Sequence, residues 1–222
     1  MERNTTRVKP KRAYDSRRRR EEARRTRVAV LDTAQRLFLT DGYSETTIAS
    51  IAQAADVSVE TIYKTFGGKR GLVKAIWDRG LEGSGPIPAE RRSDEMQALE
   101  ADPRKVIENW GNLSVEVLPR AAPILLLLRT AAATDSEMAT LLQEVDQARL
   151  ARMERNARRL YDHGDLRENV TLGQARDIMW TYSSPELYEL LVLRRGWALE
   201  HYGRFIAEAM LAALLPGPTR PK

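Results

Sequence analysis

The chain has 222 residues, no cysteine and a hydrophobic fraction of 42%. It is long enough for one or two globular domains with a sizeable core, and it offers no disulfide or thiolate site. The formal net charge of +5 is unevenly spread: residues 1–27 carry 12 Lys+Arg against 4 Asp+Glu, which leaves the rest of the chain mildly acidic. A basic head on an acidic body suggests a polyanion approached through the N-terminal end. No uninterrupted apolar run reaches the roughly 18 residues of a membrane span. The best candidate, Ala121 to Leu128, contains Pro123 and ends at Arg129. No apolar leader follows the N-terminal basic residues, so the expectation is a cytoplasmic, nucleoid-associated protein with no membrane partner.

Residues 1–26, with Arg17, Arg18, Arg19 and Arg20 at their centre, read as a basic flexible arm, because runs of like charge resist packing. Apolar periodicity of three and four begins near Val28 and continues through Leu31, Ala34, Leu37 and Phe38 to a stop at Asp41-Gly42. Thr46 or Thr47 then caps a second helix with Ile48, Ile51 and Ala52 on one face. Ser58 caps a third, with Ile62 and Phe66 turned inward. Gly67-Gly68 breaks the chain, and a fourth helix carries Leu72, Val73, Ile76 and Trp77. These elements form a domain over residues 27–83.

The stretch 84–93, rich in glycine, proline and charge, reads as a linker. A second helical domain follows over 94–216, with expected helices from Pro103 to Leu118, Pro123 to Thr134 and Ser136 to His163. Shorter ones run from Leu172 to Tyr182, Pro185 to Arg195 and Ala198 to Leu215. Pro103, Pro123 and Pro185 are read as first-turn prolines. Residues 217–222 form a frayed tail. No segment shows strand alternation, so the fold class is all-α.

Two short helices joined by a tight turn, the second opening on a serine, describe a helix-turn-helix. Asp56 occupies the turn position that needs a left-handed backbone, which Asp tolerates better than most residues. Such a pair presents the first turns of its second helix to the major groove of double-stranded DNA. Here those turns carry Ser58, Val59, Glu60 and Thr61, with Tyr63 and Lys64 one turn on. Glu60 accepts from a cytosine amino group or stays in solvent. Thr47 and Lys69, at helix N-termini, suit phosphate oxygens. Arg17 to Arg20 suit the minor groove of A·T tracts.

The segments "LFLTDGYSETTI", "IAQAADVS" and "IYKTFGGKRGL" together resemble the N-terminal domain of the TetR family of bacterial transcriptional regulators, over roughly Val28 to Ile76. The resemblance implies a DNA-binding domain, a divergent helical domain with a ligand pocket, and a homodimer on a palindromic operator. It places Thr47 and Lys69 on phosphates and the helix from Ser58 to Phe66 in the groove, with Tyr63 and Lys64 at its backbone edge. Two departures stand out: "ADVS" where the family usually has Gly or Ala before Val, and "GGK" where a capping residue often precedes the Lys.

In the second domain, Asn109, Trp110, Leu113, Val117, Leu125, Arg129 and Trp180 are expected to line a pocket for a small hydrophobic or aromatic effector. Surplus apolar surface at Leu187, Leu191, Phe205 and Met210 is expected at a dimer interface. The helix bearing Trp77 is the expected lever between the domains. His163 and His201 lie far apart without metal-type spacing or a nucleophile, so neither an enzyme, nor a metal site, nor a cofactor is expected. The competing expectation is an effector-independent or architectural DNA-binding protein.

Overall fold

The computed structural model describes residues 12–83, 85 and 87–217, with side chains from residue 16 onward. Among the described residues there are ten α-helices and no strand: α1 Arg12–Thr40, α2 Ile48–Ala54, α3 Val59–Phe66, α4 Lys69–Glu82, α5 Ala89–Leu99, α6 Pro103–Ala132, α7 Ser136–Asp162, α8 Leu172–Tyr182, α9 Pro185–Tyr188 and α10 Leu199–Leu214. A π-helical segment, Glu189–Arg194, continues α9. The all-α expectation is met.

Three expectations about elements are corrected. Residues 12–26 are not a flexible arm but the first half of α1. Ion pairs within the helix hold it: Arg18 to Glu22, and Arg24 and Arg25 to Glu21. The mixed signs of "RRRREEARRTR" are what make those turn-to-turn pairs possible. The rest of the expected arm, residues 1–11, lies outside the described residues. Second, the segment 84–93 is not all linker, since α5 begins at Ala89 and buries Ala89, Ser93 and Gln97.

Third, α6 does not end before Pro123. It runs through Pro119 and Pro123 without a break. A proline inside a helix costs about 3 kcal/mol. Spaced four apart, the two lie on one half-buried face, and Pro123 removes the donor that would have met Pro119's own carbonyl. Against that stand Leu118, Ile124, Leu125 and Leu128, all buried and worth about 1.5–3 kcal/mol each. Burial wins. Pro103 and Pro185 do take first-turn positions.

Unbroken, α6 is also long and apolar enough to cross a membrane by length and composition, contrary to the sequence reading. It is instead the central helix, with Val106, Ile107, Ala121, Ile124 and Leu125 buried against its neighbours. Gly111 and Gly203 let α6 and α10 cross closely: a Cβ at Gly111 would lie 2.7 Å from the Gly203 carbonyl oxygen.

The buried side chains form two clusters. One joins α1–α4 to the second half of α6 and the start of α7, from Val30, Phe38, Ile51, Ile62 and Ile76 to Ile124, Leu128, Met138 and Leu141. The other fills the far end around Ile107, Trp110, Leu160, Met179, Tyr202 and Ile206. The expected division at 84–93 therefore does not separate the cores, because the N-terminal helices complete theirs with α6 and α7.

Candidate nucleic-acid interface and sensor cavity

Local chemistry sets the α2–α3 pair. Thr47 caps α2: its hydroxyl oxygen accepts from Ser50 N–H at 3.0 Å, and Ser50 Oγ accepts from Thr47 N–H at 3.1 Å. This closes a capping box. Ser58 caps α3, accepting from Thr61 N–H at 3.1 Å. Between them Asp56 sits at φ 52°, the one non-glycine residue with positive φ among the described residues. That backbone twist lets Val57 N–H return to the Ala52 carbonyl at 3.0 Å. Ile51, Ala52 and Ile62 are buried beneath the pair.

The outer face of α3 is left open. Ser58, Val59, Glu60 and Lys64 are exposed, Thr61 is half-buried and Tyr63 is 54% exposed. Val59 and Tyr63, one turn apart, stand in solvent to one side of the buried Ile62. Thr47 is exposed beside it. The Ser58 and Thr61 hydroxyls are 2.8 Å apart and bonded to each other. Gly71 lets α4 leave α3 at a sharp angle, since a Cβ there would overlap the Phe66 carbonyl oxygen. No side chain caps α4, whose N-cap is Gly68.

Lys69 is placed differently from the expectation of a free phosphate ligand. Its ammonium donates to the Tyr43 carbonyl at 2.5 Å and lies 3.9 Å from the centre of the Tyr43 ring. Burial pulls its pKa below the ordinary lysine value, although Asp135 and Glu45 oppose that shift. Tyr43 in turn donates from its hydroxyl to Asp135 Oδ2 at 3.1 Å. Asp135 caps α7, accepting from Glu137 and Met138 N–H at 2.9 and 3.1 Å. The Met138 hydrogen bond leads in holding its carboxyl below the ordinary carboxylate range. Arg70 Nη2 reaches both Glu144 oxygens at 2.7 Å. The α3–α4 corner is thus tied directly to α7, links that no local sequence signal announced.

Arg17, Arg18, Arg19 and Arg20 are exposed on α1. A helix does not lay them into a minor groove as an extended arm would.

A cavity of about 460 Å³ lies between α4, α5, α6, α7, α8 and α10. This is within the range of small-ligand pockets. Of the expected lining residues, Trp110, Leu113 and Val117 face it, together with Met153, Met179 and Ile206. Asn109, Leu125, Arg129 and Trp180 are not among its walls. Leu125 is buried in the N-terminal cluster, and Arg129 is drawn into ion pairs with Glu186 and Asp146. Trp180 instead packs beneath the Arg149 guanidinium at 5.5 Å. Met210, expected at a dimer interface, is buried at this cavity's wall. Trp77 and Leu81 of α4 also line it, so the cavity touches the helix that leads back to the α3 corner. Leu187, Leu191 and Phe205 are half-buried against the C-terminal cluster, while Leu190 and Leu193 are 51% and 53% exposed.

Residues 30–76 match the family of bacterial regulatory proteins named tetR, over the segment that runs from the end of α1 through α2 and α3 into α4. Over these residues the chain is of TetR type. The TetR-type match extends to curated relatives. The uncharacterized HTH-type transcriptional regulator YvkB of Bacillus subtilis is 37% identical over 76 residues, 34% of this chain and 40% of that protein. The HTH-type transcriptional regulator TtgR of Pseudomonas putida is 31% identical over 105 residues, 47% of this chain and 50% of that protein. The aligned stretch thus spans half or less of these relatives. In fold the likeness is wider: a solved SmeT–triclosan complex superposes with a TM-score of 0.66 at 23% identity, covering 88% of this chain and 99% of that one. At that identity it establishes the TetR-type architecture across both clusters, and the fold alone.

Proposed function

We propose that this chain is a DNA-binding transcriptional regulator, acting as a ligand-responsive repressor that binds a palindromic operator as a homodimer. The observation that carries the reading is the open outer face of α3, with Ser58, Val59, Glu60, Tyr63 and Lys64 exposed over a buried Ile62. Thr47 supplies a hydroxyl for a phosphate. Lys69 contributes through its remaining N–H donors, held in place by Tyr43. Phosphate contacts fix register, and the α3 side chains read base edges.

The π-helical segment and α10 offer the dimer surface, through Leu190 and Leu193 with the half-buried Leu187, Leu191 and Phe205. The effector is a small hydrophobic or aromatic molecule in the cavity. Its coupling to DNA runs through α4, which lines the cavity at Trp77 and Leu81 and begins at the α3 corner. A ligand that fits best when α4 is displaced favours recognition helices misspaced for the operator.

Selection of bound duplexes from a random DNA pool tests the reading. Two half-sites related by a dyad are expected, and binding with no sequence preference would demote the chain to an architectural DNA-binding protein. The sensor half is tested with triclosan, the ligand in the SmeT complex, as a first aromatic probe. A rise in melting temperature with release of operator supports it, and no shift across a panel of aromatic probes removes it.

A further inference from the structure

The N-terminal half of α1 is a helix with no core to hold it. Arg17 to Arg25 are exposed on every side, as are Arg27, Val28 and Ala29, and burial begins at Val30. A helix polar all round gains nothing from packing, so its own ion pairs and a partner must hold it. The partner's charge can be read from the side chains. Arg17, Arg20, Arg24 and Arg27 recur at steps of three and four and so share one face. Neither Arg17 nor Arg20 has a carboxylate partner among the described residues, and the Arg24 pair with Glu21, at 3.2 Å, is solvent-exposed. The face has a direction too: the Arg27 guanidinium sits 4.7 Å over the ring of Phe66, the last residue of α3. The ridge of arginines is therefore continuous with the DNA-reading helix.

We propose that this ridge binds the phosphates of duplex DNA flanking the half-site read by α3. From Arg17 to Arg27 it extends about 15 Å at the helical rise, about four base-pair steps. It touches backbone and not bases, so it lengthens the footprint and strengthens binding without adding sequence preference. Its helical form fixes the arginine spacing, which separates it from a minor-groove arm. The proposal rests on the reading of α3 as the DNA-contacting helix.

The test uses the full chain, the selected operator in a long duplex and in one trimmed to the half-sites, and the variants R17Q/R20Q/R24Q and A23P. Gln keeps helix propensity, which circular dichroism verifies, and Arg27 is left on Phe66. On the long duplex the triple variant is expected to bind about tenfold more weakly, with the salt slope of log affinity smaller by about 0.9 for each phosphate no longer neutralised. On the trimmed duplex it should match the wild type. Proline at position 23 should weaken long-duplex binding in the same way, because it breaks the helix. An unchanged slope, an equal loss on both duplexes, a silent A23P, or a preference for A·T flanks abolished by the triple variant would each overturn the ridge. So would loss of binding to phosphatidylglycerol vesicles with DNA binding intact, which would assign the face to a lipid surface. If the wild type selects no site, the α3 reading fails by itself, and the ridge is judged by the same slope comparison on random-sequence duplex.

Discussion

The α2–α3 corner and the cavity differ in how their geometry is fixed. At the corner, each feature is imposed by a neighbour in sequence: Thr47 by Ser50, Ser58 by Thr61, the turn by Asp56, the exit by Gly71. The cavity is assembled from residues between Trp77 and Met210, and each wall depends on how helices distant in sequence cross. A locally determined surface keeps its shape when the body repacks. A cavity defined by helix crossings changes with any shift of α4, α6 or α7, which suits it to sensing.

If the corner is rigid because of local packing, its tightest approach should be the least replaceable. Gly71→Ala places a methyl group against the Phe66 carbonyl and should cost about 3 kcal/mol. Thermal unfolding should show it as a fall of roughly 6–12 °C, with operator binding abolished as α3 is pushed off α4. A melting temperature within a degree or two of the wild type would mean the corner yields, and the contrast with the cavity would fail.

The cavity should tolerate change in its walls while losing its ligand. Leu113→Trp fills space that is empty, so stability should move by less than about 1 kcal/mol and operator binding should persist. The ligand's stabilisation, about 2.7 kcal/mol at a hundredfold excess over Kd, should disappear from the thermal-shift titration. Retention of that shift would place the effector elsewhere.

This difference also governs what the sequence revealed. The caps Thr47 and Ser58, the left-handed Asp56, the buried Ala52 and Ile62 and the glycine break at 67–68 each follow from residue type at short spacing. Trp110, Leu113 and Val117 were legible as apolar positions of α6. Asn109 shares that helix but lies one residue, about 100°, from Trp110 and so turns off the cavity face, while Arg129 points elsewhere because the rotation of α6 beyond Leu118 depends on its running unbroken through Pro119 and Pro123. Reading Pro123 as a helix start loses that phase. The α5 helix was missed because its buried face is Ala89, Ser93 and Gln97, with little apolar signal. The link from Lys69 through Tyr43 to Asp135 joins residues far apart in sequence, and nothing in any one segment predicts it.

That link is where the two regions meet, so cutting it should affect both modestly. Asp135→Ala removes the α7 cap and the acceptor for Tyr43, at about 1 kcal/mol each. The wild-type carboxyl, held below the ordinary range, adds stability at pH values above its unfolded pKa. That stability is lost as pH falls through the lowered folded value. Wild type and variant should therefore differ by about 2 kcal/mol at neutral pH and converge in acid, as denaturant titrations at several pH values would show. A gap independent of pH would mean that the carboxylate charge contributes nothing.

The smallest effect is expected at Asp56, where the turn is already close to its best. An L-residue in the left-handed region pays roughly 1–2 kcal/mol, less for Asp, which can bond locally. Glycine removes that strain but loses about 0.5–1 kcal/mol of backbone entropy on folding. The two nearly cancel, so Asp56→Gly should raise stability by about 0.5 kcal/mol, or 1–2 °C. Because the turn needs only its positive φ, the Val57 N–H to Ala52 bond and the pose of α3 should survive, and operator affinity should change less than about twofold. A clear loss of stability would show that the Asp56 side chain itself supports the turn. A large change in affinity at constant stability would show that the turn sets the angle of α3, and that the corner is adjustable after all.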